Sequence, residues 1–200
     1  EKDGRSLNLD FETGSLQDWV SEGNAFSTVM IAGDSSAMHE KDMHMGQAGK
    51  YFVTSGGTKN HEATGTLTSV PFEVTQPFAA FQVSGGALQD TRVELVRHDT
   101  DNVIFEITGS GRAPLQPVVV DLKPHLGKQI FVRIIDNETG VSPIWYIGKD
   151  KFAHINFDNF RFYATRPTFE NELKREDIIV LPPLDVIPHA GLSGEKAAKA

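Results

Sequence analysis

The sequence predicts an all-β fold, an antiparallel β-sandwich of jelly-roll type, on three observations. Short strand-like segments recur along most of the chain, turn residues separate them, and no sustained 3.6-residue apolar period occurs before residue 165. Period-two alternation broken by Gly, Asn, Asp and Ser marks half-buried strands joined by tight turns, and many of these at close spacing build two packed sheets.

In chain order, residues 7–12 (Leu7-Asn8-Leu9-Asp10-Phe11-Glu12) alternate and run into Thr13-Gly14, which predicts a first strand and its turn. Segments 25–31 and 50–54 follow; the second carries Tyr51-Phe52-Val53 and stops at Ser55-Gly56-Gly57. Segments 64–69, 72–75 and 78–84 lead to a second glycine turn, Ser84-Gly85-Gly86. Segments 91–97 and 102–108, joined through Asp99-Thr100-Asp101-Asn102, read as a hairpin with one wet face. After Gly109-Ser110-Gly111, segment 116–121 contains Val118-Val119-Val120, an unbroken apolar run suited to a strand covered on both sides. Pro124-His125-Leu126 supplies one helical turn before Gly127, 129–135 ends at Asp136-Asn137, and 154–163 is the last strand.

Composition changes after Tyr163. Charged residues gather from Glu170 to Asp177, prolines follow at 182, 183 and 188, and a short helix former begins at Ser193, a suitable N-cap. Residues 1–164 are therefore expected to form the sandwich, and 165–200 a linker or extension towards a further domain. The alternative is that Ile178-Ile179-Val180-Leu181 packs back on the sandwich, since four apolar residues in a row seldom stay in water.

A formal charge of −8 argues against a nucleic-acid partner, whose phosphates need a basic face, while acidic oxygens suit a hard cation. There is no cysteine, which excludes disulfides, thiolate zinc sites and a thiol nucleophile. No apolar run reaches the roughly 20 residues of a membrane span.

Asp158 stands between Phe157 and Phe160, where a carboxylate has to be solvated, paired or bound to a cation. The acids of the first segment offer a partner for it. We expect the two ends of the chain to lie side by side and share a Ca2+ ion, the alternative being that Glu12 and Asp158 are solvated rim residues. A second set, Arg92, Arg112, Asp136, Asn137 and His154, falls at predicted strand ends, where binding loops gather. Arginine with carboxylate can grip vicinal hydroxyls, or simply hold loops together as an ion-pair network. Asp136 and His154 also permit an acid–base reading, although no nucleophile-elbow serine accompanies them. Trp145 and Tyr146, in a predicted loop, could stack on a sugar ring or plug the end of the sandwich. Met38-His39 through His44-Met45 lacks the third histidine of a copper site, and the glycine turns lack a phosphate loop's Lys-Ser/Thr.

Several motifs, taken in order, resemble the calcium-binding jelly-roll carbohydrate-binding modules, a galactose-binding-like fold. They are Leu9-Asp10-Phe11-Glu12-Thr13-Gly14 with Leu16 and Trp19, Gly49-Lys50-Tyr51-Phe52-Val53, Gly65-Thr66-Leu67-Thr68-Ser69, and Ile155-Asn156-Phe157-Asp158-Asn159-Phe160. A nearer resemblance is to the accessory sandwiches of secreted bacterial levanase-type hydrolases and dehydrogenase-like multidomain proteins. Their pattern also covers Asp136-Asn137, His154-Ile155-Asn156 and the lead-in Pro188-His189-Ala190-Gly191-Leu192-Ser193. The chain departs from that pattern at Phe152-Ala153 and in an inserted-looking loop at 141–151. The resemblance implies a structural Ca2+ held by the Glu12 side chain, the Lys50 carbonyl and the side chain and carbonyl of Asp158, with Asp34 adding oxygens. It further implies a non-catalytic accessory module of a secreted or periplasmic protein. Its partners would be carbohydrate and an adjacent domain of the same chain; the ligand-binding candidates are those read above from strand ends and loop aromatics, Arg92, Arg112, Asp136, His154, Trp145 and Tyr146. The alternatives are an interaction domain that binds no sugar and a hydrolase using Asp136 and His154.

Overall fold

A computed structural model describes residues 5–26, 30–32 (backbone), 44–55, 63–138 and 154–181. Asp34, Trp145, Tyr146 and most of the Met38–Met45 run lie outside the described residues.

The strands are β1 (Trp19–Gly23), β2 (Met30–Ala32), β3 (Tyr51–Thr54), β4 (Gly65–Ser69), β5 (Phe72–Glu73), β6 (Phe78–Gly85), β7 (Thr91–Arg97), β8 (Val103–Ile107), β9 (Arg112–Asp121), β10 (Gln129–Asp136) and β11 (Ile155–Tyr163). One sheet has the order β1-β4-β10-β7-β8, with β5 also on β10, and the other the order β2-β3-β11-β6-β9. Every strand pairing is antiparallel. This is the β-sandwich expected from the sequence.

Alternation explains the sheets. In β10, Ile130, Val132 and Ile134 are fully buried while Phe131 and Arg133 face outward. The inner faces meet in one apolar core containing Phe81, Phe157, Val93, Leu95 and Leu67. Each such side chain contributes roughly 1.5–3 kcal/mol when buried. Phe11 stacks on Trp19 with centroids 4.9 Å apart, and Phe157 meets both rings edge-on at 6.2 and 6.0 Å. Geometry of this kind adds to the burial term. Pro114 and Pro117 are accommodated because β9 is the edge of its sheet.

The predicted first strand at 7–12 is instead a turn-rich segment. The Asn8 side chain explains this: its oxygen accepts from Thr13 N–H at 3.2 Å and its amide donates to the carbonyls of Ser15 and Gln17. Local side-chain-to-backbone bonds of this type compete with strand pairing. Phe11 then sits in the left-handed region at φ 56° and still delivers its ring to the core. The true first strand, β1, is hard to see in sequence because only Trp19 of its five residues is buried.

Segments 7–12 and 154–163 do lie side by side. Phe160 N–H donates to Leu9 O at 3.2 Å, and Arg161 pairs with Asp10 at 3.2 Å. From Tyr163 to Leu181 the chain stays against the sandwich. Leu173 is buried and donates its N–H to Pro117 O, Ile178 packs on the core, and Leu181 bridges Leu88, whereas Ile179 and Val180 are exposed.

Candidate functional site

Two polar regions stand out. The first lies on the outer side of β11. Phe157 points inward, so Asp158 points out, opposite Gln82 of β6. A bulge follows, with Asn159 at φ 56° and a register shift between Asp158 and Arg161. Backbone held in that region by a non-glycine residue is a frequent mark of a functional site. The segment 44–50 lies over Asp158: Ala48 N–H donates to Asp158 Oδ2 at 2.8 Å, and Gln82 Nε2 donates to Gly46 O at 2.8 Å. Asp158 is fully buried, and neither its Oδ1 nor Gln82 Oε1 has a hydrogen-bond partner.

The first turn supplies more oxygen. The Glu12 carboxylate accepts from Lys50 N–H at 2.9 Å and Tyr51 N–H at 3.0 Å. Gly49, at φ 85°, makes room for it, because a Cβ there would stand 2.6 Å from the carboxylate. Burial pushes the Asp158 carboxyl up to about 8; the N–H groups of Ala48 and Asn159 oppose the rise, and the charges of Glu12 and Asp10 add to it. Two orphaned buried oxygens beside acidic side chains form a donor set of the kind a hard cation takes. Among the described residues, no three Asp, Glu, His or Cys side chains converge closely enough to hold a metal alone. A cation here would therefore draw on carbonyl and amide oxygens as well.

The second region is a rim at one end of the sandwich, organised by the turn between β6 and β7. Gly85 has φ 110°, and a Cβ on it would meet His154 O at 2.2 Å, so glycine alone permits that approach. Gly86 N–H donates to the same carbonyl at 2.9 Å, and Arg112 lies opposite Gly85 on β9. Thr91 pairs with Asp136, and Arg92 with Ile135. The turn thus brings Arg92, Arg112, Asp136 and His154 to one rim. They differ in access: Arg112 is exposed, Arg92 and His154 are half-buried, and Asp136 is 1% exposed.

Asp136 accepts from Glu138 N–H at 3.2 Å. Burial pushes its carboxyl up to about 7, eased by hydrogen bonds from the Ser55 side chain and the Glu138 backbone and reinforced by the Glu138 charge. Ser55 in turn accepts from Ile155 N–H at 2.9 Å, and Asn156 donates to Ser84 Oγ at 2.9 Å, a buried polar network that fixes the strand ends. Arg92 is held by Glu94 Oε1 at 2.7 Å and Gln89 O at 3.1 Å; Glu94 also binds Arg133 at 2.7 Å.

Sequence reasoning missed Gln82 and the Arg92–Glu94–Arg133 ladder. A glutamine inside the apolar run Phe78–Val83 was the available signal for the first. The second needs the register of β7 on β10, because Glu94 and Arg133 are 39 residues apart.

No protein-family model matches the chain. A putative glycosyl hydrolase of Aspergillus rugulosus, ecdE, is 26% identical over 158 residues, covering 78% of this chain and 20% of that protein. The chain thus spans about a fifth of that relative's length. Among solved structures, TmCBM61 in complex with β-1,4-galactotriose is 17% identical, covers 76% of this chain and 92% of that one, and has a TM-score of 0.46. The K2 adhesin domain of Lys-gingipain is 15% identical over 78% of this chain and 96% of that one, also at 0.46. No helix among the described residues is long and apolar enough to cross a membrane.

Proposed function

We propose that the chain is a non-catalytic accessory module of a larger secreted or periplasmic protein, that it binds carbohydrate, and that a structural Ca2+ pins its two ends together. The gathering of Arg92, Arg112, Asp136 and His154 around the Gly85–Thr91 turn carries the binding reading. The exposed Arg112 guanidinium, with half-buried Arg92 and His154 beside it and buried Asp136 behind, sets hydrogen-bonding groups at a rim where they suit hydroxyls. Similarity to part of a putative glycosyl hydrolase supports a carbohydrate-related role. The buried, unpartnered Oδ1 of Asp158 carries the Ca2+ reading. Asp158 and Glu12 would hold the ion with carbonyls such as that of Lys50, and Asp34 remains a proposed contributor from outside the described residues. The ion would cross-link strands and perform no chemistry.

Affinity-gel electrophoresis of the full chain against a polysaccharide panel tests the function. Retardation by at least one polysaccharide is expected, with affinity on the order of micromolar to millimolar. Gels that stay blank at high protein concentration favour the second reading, an interaction domain docked on a neighbouring domain, for which the exposed Ile179 and Val180 speak. Turnover of glycoside or ester substrates, lost in Asp136→Asn, would establish the hydrolase instead.

A further inference from the structure

Residues 174–181 belong to neither sheet, yet they build a wall. The arm is anchored at one end by buried Leu173, whose N–H donates to Pro117 O at 2.8 Å. At the other end Leu181 donates to Ala87 O at 2.8 Å and accepts from Gln89 N–H at 2.9 Å. Between these anchors Arg175 reaches back to Glu106 on the edge strand β8, at 2.7 Å. A groove of about 560 Å³ lies between the arm and the sandwich, within the range typical of ligand sites.

Its lining is specific in kind. Arg92 and Arg175 face Asp90 and Glu106, so the charged side chains balance. Two nitrogens of Arg92 are already fixed, by Glu94 and by Gln89 O, which orients the guanidinium before any ligand arrives. Ile107, Ile178 and Val180 give the groove aliphatic surface, and among the described residues no aromatic ring lines it. An anion would meet Asp90 and Glu106, a cation would meet the two arginines, and a flat aromatic ligand would find no ring among the described residues to stack on. Hydroxyl groups both donate and accept, so a ligand rich in them satisfies either kind of neighbour, while its C–H faces cover the aliphatic side chains. We propose that this groove, walled by the C-terminal arm, is where the module takes a neutral oligosaccharide. The inference rests on the carbohydrate-binding reading above and extends the site from the loop rim, through the shared Arg92, to a surface that the sandwich alone does not contain.

Isothermal titration of the full chain with a panel of neutral oligosaccharides, and with uronic-acid oligosaccharides of matched length, tests it. Arg175→Ala removes a donor and Val180→Trp fills the groove; both positions are exposed, so thermal melts should confirm intact folding. Each variant is expected to lose roughly tenfold or more in affinity for the neutral ligand that the wild type binds, while Lys123→Ala does not. Neutral-sugar binding that survives both groove variants, or falls only in Arg112→Ala, overturns the groove and leaves carbohydrate binding standing. Tighter groove-dependent binding of the uronic-acid set overturns the neutral class. Absence of binding to every sugar removes the groove and the carbohydrate reading together.

Discussion

The outer faces of the two sheets each bury a carboxylate in mid-strand, and they treat it in opposite ways. Glu94 on β7 is 2% exposed, and Asp158 on β11 is fully buried. Glu94 lies beneath two guanidinium groups that the chain itself supplies, from Arg92 and Arg133. Asp158 has Glu12 and Asp10 as its charged neighbours, and one of its oxygens has no partner. A buried charge is tolerable only when it is matched. Among the described residues the first face is complete, whereas the second is where the proposed cation would supply the match, a proton being the alternative for a carboxyl raised to about 8. Asp136 is the intermediate case, held by neutral donors and stable chiefly in its protonated form.

The largest effect expected belongs to that intermediate case. The folded-state pKa of Asp136, about 7, lies above the unfolded value of 3.8, so the native state retains a proton that the unfolded chain releases. This group's cost is absent below about pH 4, grows as pH rises, and is complete above about pH 7, reaching on the order of 4 kcal/mol. Chemical denaturation across that range should show stability falling with pH in the wild type, and Asp136→Asn should lessen the slope, leaving the part due to Asp158, whose carboxyl is raised in the same direction. Equal slopes in both proteins would break the distinction between Asp136 and Glu94.

Next comes Arg133→Met, which strips one guanidinium from Glu94 while Arg92 remains. The expected loss is about 3 kcal/mol in urea unfolding, the lower end for breaking a buried pair. A change below about 1 kcal/mol, the level of a surface pair, would mean that the ladder is not what keeps Glu94 buried. The contrast is sharpened by Ca2+. At a concentration 100-fold above its dissociation constant the ion should stabilise the wild type by about 2.7 kcal/mol, a gain reversed by chelator and missing in Asp158→Ala. Identical melts with and without chelator would remove the cation from the second face. The smallest effect is expected for Val20→Thr on β1, where the side chain is 59% exposed. That change should stay within about 0.5 kcal/mol.

The strands were largely legible because their signal is local. Alternation and turn residues alone place β6, β7, β8, β10 and β11 to within a residue or two of where they lie. The same reading failed at residues 7–12, where the Asn8 side chain competes with the backbone ladder, and at β1, which exposes four of its five residues. The carboxylates at the chain ends could be picked out because Asp158 stands among phenylalanines. Gln82 and the arginines around Glu94 could not, since their roles appear only once strands distant in sequence are set in register.

The fastening of the C-terminal arm has a mechanical consequence. A pull along the chain beyond Leu181 acts first on the two hydrogen bonds to Ala87 and Gln89, next on the Ile178 packing and the Arg175–Glu106 pair, and then on the Leu173–Pro117 bond. These few attachments open one after another, a peeling geometry that resists little, whereas the strands between them would have to be sheared together. Tension arriving from that side is thus absorbed by lifting the arm before any sheet is disturbed, and the wall of the groove would be the first thing to give way.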